Sequence, residues 1–204
     1  MNLTTMRGRV RNTVRDIDAG AYFWADAEVD AAILAALGEW SAACPDVGHV
    51  EKDGDGITRE LDLSAETGYL YALAVEYPID EEPPVFVGFR EHSRAAVIVR
   101  GDVPVAGVGN VRVWYAKAYD SADATWTLPV EDEQAIEIGA AYKLAEGGAV
   151  YASGRINASV DRAGWLRKAG YGWMQDFHAR LNKARARQVG PQWWVSWRVD
   201  EDDA

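Results

Sequence analysis

Between Val47 and Trp126 the apolar residues of this chain recur every second position, whereas on both sides of that block they recur every three or four. A strand period bracketed by two helix periods predicts an α+β chain whose β part interrupts a helical part. Met6, Val10, Val14 and Ile17 predict a short amphipathic helix over residues 4–17, ended by Gly20. Trp24 and Val29 are spaced for a hydrophobic staple across an N-cap near Ala25 or Asp26, with Asp26 and Glu28 favoured by the helix dipole. The stripe Val29, Ile33, Ala36, Leu37, Trp40 carries this second helix to Cys44, where Pro45 stops it.

Within the β block, Ile57, Leu61 and Leu63 share one parity, as do Leu73, Val75 and Tyr77, and then Val85, Val87 and Phe89. Residues 95–100 and 111–119 add two more β-rich runs. These predict a small antiparallel sheet or sandwich. Helical pattern resumes at Thr127–Glu133, with Ile136, Ala140, Leu144 and Tyr151 as its stripe. The last helix spans about Ser159 to Gln188, with Trp165, Leu166, Tyr171, Trp173, Phe177 and Leu181 inward. The expected fold is therefore a helical bundle of two short N-terminal and two longer C-terminal helices, formed by residues 1–45 and 127–188. Residues 46–126 form the inserted β domain and residues 189–204 an extended C-terminal arm.

Charge divides the chain unevenly. Residues 162–188 carry seven Lys/Arg against the single acid Asp176, in a chain of net charge -11. Next come Gly190 and Pro191, the run Trp193, Trp194, Val195, Ser196, Trp197, and the acidic stop Asp200–Asp203. Aromatics past a helix breaker need a surface to bury them, on the chain's own body or on another protein. The basic helix and its tryptophans could also stack on nucleic acid, but an acidic body argues against tightly held phosphate and suits a surface that DNA slides past. Pairing of the basic residues with acids on the same or a neighbouring subunit is the competing reading.

Catalytic and metal motifs are lacking. His49, His92 and His178 fall in three different elements with no metal or triad spacing, and the single cysteine, Cys44, excludes an internal disulfide. Glu51, Asp53, Asp55 and Asp62 approximate a calcium loop with Gly56 at its sixth position, but a β-hairpin turned at Asp53–Gly56 accounts for the same residues. Asp80, Glu81 and Glu82, bracketed by Pro78, Pro83 and Pro84, read as an exposed stiff turn rather than an acid–base pair. The expectation is a non-enzyme without catalytic residues, metal or cofactor. No run approaches a membrane span and residues 1–15 have no apolar signal core, so a cytosolic origin is expected.

The order of these signatures resembles the head-to-tail connector (adaptor) proteins of tailed bacteriophages. The resemblance rests on Phe23–Val29, Val75–Pro84, Val111–Tyr115, and Leu128–Pro129 leading into Ile136–Ala141 and the basic helix. It implies a structural virion neck protein, assembled in the host cytoplasm, forming a homo-oligomeric ring of about twelve subunits beneath the portal. On that likeness Trp193, Trp194, Val195 and Trp197 are portal-binding anchors, and Arg180, Lys183, Arg185 and Arg187 pack subunits together. The β insertion would face a tail or second neck protein, and DNA would pass through an acidic channel without sequence-specific binding. The alternative from another class is a carbohydrate- or protein-binding β-sandwich module presenting Trp114, Tyr115 and Trp126. A hydrolase using Asp80, Glu81 and Glu82 is a third.

Overall fold

The structure, a computed structural model, describes residues 2–93, 95–120, 128–153 and 160–188. The chain is α+β, as the periodicity predicts, and divides into two compact units: Met1–Cys44 with Tyr119–Gln188, and Pro45–Ala118. The first unit holds four helices, α1 (Leu3–Thr13), α2 (Asp26–Ala43), α3 (Val130–Ser153) and α4 (Val160–Gln188). Among the described residues no helix is long and apolar enough to cross a membrane.

Local chemistry fixes the helix ends. The Asn2 side chain accepts the Thr5 amide at 2.9 Å and opens α1. At α2 the Glu28 carboxylate reaches back to the Ala25 amide at 2.7 Å, and Trp24 and Val29, both buried, flank that turn as a staple. The α1 stripe is shorter than the periodicity predicts. The helix ends at Thr13, Arg15 turns into the left-handed region (φ 55), and Ile17 is 70% exposed. Tertiary chemistry ends it. Arg11, buried, ion-pairs with buried Asp16, whose carboxylate also accepts the Phe23 amide at 2.7 Å, so the chain must fold back at once.

The helical core is the predicted α2 stripe packed on Ile136, Ala140, Leu144, Leu166, Phe177 and Leu181. α2 and α3 each touch the other three helices, and α3 packs most extensively, on α4. Arg9 of α1 binds Glu133 at 3.1 Å and Glu137 at 2.7 Å on α3, and Arg7 binds Asp26 and Asp30 on α2. The Arg11 hydrogen bond holds the Asp26 carboxyl below its ordinary range. With its folded pKa depressed, its contribution to stability is complete at neutral pH and fades as pH falls below about 4. In α4, Gly164, Gly170 and Gly172 do not interrupt the helix. Tyr171, predicted inward, is 60% exposed, because Leu166, Gly170 and Phe177 define the buried face and position 171 is rotated about 100° from Gly170.

Gly139 marks the tightest crossing. A Cβ there would lie 2.7 Å from the Phe177 ring and 3.1 Å from the Ala36 Cβ. Gly139→Ala is expected to lower stability by about 1–3 kcal/mol by overpacking. Gly147→Ala in the same helix meets nothing within 4 Å and should raise it by about 0.5–1 kcal/mol. Urea midpoints of the two variants should therefore move in opposite directions.

The second unit contains β1 (Asp46–Gly54), β2 (Glu60–Asp62), β3 (Tyr69–Glu76), β4 (Phe86–Val87), β5 (Phe89–Ser93), β6 (Ala96–Val99) and β7 (Gly107–Lys117). They form two antiparallel sheets, ordered β1-β7-β3-β4 and β2-β6-β5. Leu61, Leu63, Ala72, Val75, Val97, Val99, Val111 and Val113 make their core. Two expectations change. β1 does not hairpin onto β2. It pairs with β7 from Asp46↔Lys117 onward, because Gly54 packs on the connection before β7: its amide donates to Asn110 at 2.7 Å and a Cβ would lie 2.3 Å from the Val105 carbonyl. Ile57, predicted inward, is accordingly 81% exposed on that loop. In β3 a register shift between Ala72 and Ala74 puts Ala72 and Val75, three residues apart, into one core, so Leu73 loses the parity the sequence suggests.

Candidate functional site

One end of the α3–α4 pair carries the charges singled out by sequence. Glu131, Asp132 and Glu133 load the first turn of α3, where the helix dipole favours acids. Asp132 and Glu131 also bind Arg187 of α4, at 3.0 and 2.9 Å, and the Asp132 hydrogen bond raises the Arg187 pKa above its ordinary value. Arg180 pairs with Asp176 one turn earlier at 3.0 Å and reaches Gln134 at 3.2 Å. Lys183 and Arg185 make no ion pair among the described residues, which leaves two exposed cations on the last turns of α4. Of the four residues proposed to pack subunits, two are therefore engaged within the chain and two are unspent.

Glu131, Asp132, Asp176, Arg180, Lys183 and Arg187 border a groove of about 500 Å³ that Trp40 also lines. The Trp40 indole is 1% exposed and its Nε1–H has no acceptor among the described residues. Sequence reading placed Trp40 on the core stripe but gave no sign that it would border the charged groove. Cys44 is buried and its thiol is pushed up, chiefly by burial, which makes it a poor nucleophile. Trp193, Trp194, Val195 and Trp197 lie outside the described residues, as do Trp126 and the acidic stop.

In the β unit the acids of the calcium-like stretch are each engaged locally. Glu51 binds Arg112 at 2.9 Å, and Asp53 accepts the Gly109 amide at 2.6 Å. Asp55 accepts the Thr58 and Ile57 amides and Asp62 the Ser64 amide, bonds that hold both carboxyls below their ordinary range. Among the described residues no group of three or more His, Cys, Asp or Glu is placed to hold a metal ion. Asp80 of the acidic turn sits in the left-handed region (φ 63) and binds Arg112 at 3.2 Å.

Arg112 is thus the hub of an acidic cluster. Its third partner is Glu76, 4% exposed, at 3.2 Å, and these carboxylates raise its pKa, the Glu51 hydrogen bond most. Arg112→Met would strand the Glu76 carboxylate without its cation. The expected cost is about 3 kcal/mol, read as faster hydrogen exchange of β3 and β7 amides. Of the aromatics offered for glycan binding, Tyr115 is buried, with its hydroxyl on Glu66 at 3.3 Å. Trp114 is half-buried, its ring 4.9 Å from that of His49.

No protein-family model matches the sequence, and no curated protein matches it. Among solved structures, the chain is similar to one described as the neck of a native GTA particle computed with C12 symmetry. The match covers 72% of this chain and 80% of that one, with 18% identity and a TM-score of 0.30.

Proposed function

We propose that this protein is a structural neck protein of a tailed-phage-like virion, a ring-forming adaptor that docks on the portal, continues the DNA channel and offers a platform to the tail. The observation that carries the reading is the element order. A four-helix unit is interrupted by an antiparallel β unit and resumes as a helix pair ending in a basic α4, after which the aromatic arm begins. This is the layout that the connector resemblance implies. Lys183 and Arg185, without an ion pair among the described residues, supply cations for a neighbouring subunit's acids, while Arg180 and Arg187 shape the same edge. Trp193, Trp194 and Trp197 are the residue type that dominates interface energy once buried. A net charge of -11 suits a wall past which DNA moves without adhering. No catalytic step is part of this role.

The test is native mass and electron imaging of the protein alone and mixed with portal protein from the same particle. A ring of about twelve subunits, formed alone or on portal, is expected. A stable monomer that ignores portal would sink the reading.

A further inference from the structure

One end of the four-stranded sheet, where β1 and β3 finish and β7 begins, carries the most exposed large apolar side chains described in the β unit. Val108 is 92% exposed, Ile57 81% and Val105 64%, and the loops that bear them lock together. The Gly56 amide donates to the Pro104 carbonyl at 3.1 Å, the Gly109 amide to Asp53 at 2.6 Å, and the Asn110 side chain to the Val105 carbonyl at 2.8 Å. The Tyr77 hydroxyl, just past β3, accepts the Val105 amide at 2.8 Å, and Asp55 closes its own turn on the Ile57 and Thr58 amides. One exposed valine needs no account, but three exposed apolar side chains on one interlocked loop pair mark an interaction surface. Rigid presentation also removes much of the ordering cost that a binding loop otherwise carries.

Charge sets the kind of partner. The three segments that meet at this end, residues 51–59, 77–85 and 100–110, hold seven Asp/Glu against three Lys/Arg. One of those cations, Lys52, is already bound to Glu66 at 3.0 Å, whereas Glu81 and Glu82 are exposed and make no ion pair among the described residues. We propose that this loop end docks a second, tail-side protein of the particle, one that offers an apolar recess bordered by Lys and Arg. The acids turn away nucleic acid and anionic lipid, and a second copy meeting the same end would set acid against acid. Opposite charge steers a basic partner in, and Val105, Val108 and Ile57 supply the apolar contact once it arrives. The inference rests on the neck reading for the partner's place in the particle and adds the surface and its chemistry.

The test measures binding of the purified tail-side neck protein of the same particle to the full chain, as wild type and as Val108→Asp, Ile57→Asp and the double variant Glu81→Lys/Glu82→Lys. All four positions are exposed, so melting temperature and portal capture should match wild type. Each apolar change should weaken binding about tenfold or more. The charge reversal should slow association about tenfold at low salt, and that difference should vanish near 0.5 M salt, where the Debye length is only about 4 Å. Variants that bind as wild type does overturn the proposal. So does flotation of the wild-type chain with phosphatidylcholine vesicles that Val108→Asp abolishes, which would make the surface a membrane contact. A chain that forms its ring on portal yet ignores the tail-side protein overturns this inference alone, whereas a chain that does neither overturns the neck reading with it.

Discussion

Asp16→Ala is expected to lower the stability of the helical unit by about 3–5 kcal/mol, the range for breaking a buried ion pair by removing one partner. The Asp16 carboxylate is 4% exposed and serves three donors: the Arg11 guanidinium, the Phe23 amide at 2.7 Å and the Trp24 amide at 3.4 Å. Alanine leaves a buried guanidinium with Asp26 and the Trp24 carbonyl, and removes the carboxylate that both amides donate to. Asp16→Asn keeps an oxygen for one amide while losing the charge, so its loss should fall between wild type and alanine. At a denaturant slope of about 1–3 kcal/mol per molar urea, the alanine midpoint should drop by roughly 1–5 M. A shift below about 0.5 M would mean that Arg11 finds an equivalent partner and that the turn after α1 is not set by this pair.

The same clamp explains which parts of the fold were legible in sequence. Met6, Val10 and Val14 announce α1 because burial repeats with the helix, but Ile17 continues that repeat without being buried. The helix stops where a charged pair pulls the chain inward, and periodicity of apolar residues carries no signal of that. The nearest hint is an arginine on the buried side of α1 with an acid five residues on. In the β unit, composition marks the strands. Their partners, and the β3 register shift that groups Ala72 with Val75, depend on residues about 40 positions away, as in Ala72↔Tyr115. At the candidate site the basic run on α4 was visible as charge, and its division was not. Arg187 is neutralised by Glu131 and Asp132, 56 and 55 residues distant, and Arg180 by Asp176 one turn back, whereas Lys183 and Arg185 have no ion pair among the described residues. Only the packed structure tells which cations remain for a partner.

Deletion of residues 190–204 is expected to abolish portal capture completely while leaving the melting temperature of the protein unchanged. The described helical core closes without the arm: Leu166, Phe177, Leu181 and Ala184 bury the inner face of α4 against α2 and α3, and the last turn is fixed by Arg187 on Glu131 and Asp132. Losing three tryptophans from a docking segment removes the anchors of an interface. A single such anchor is worth about 2 kcal/mol or more, so losing three removes about 6 kcal/mol, roughly four orders of magnitude in affinity. Two measurements separate the possibilities: pull-down by portal protein, and thermal unfolding of the truncated chain. Retained capture would transfer docking to another surface, for which the groove bordered by Lys183 and Arg187 is the first candidate. Unfolding of the truncated chain would instead make Trp193, Trp194 and Trp197 part of the protein's own core, and the arm would cease to be an interface.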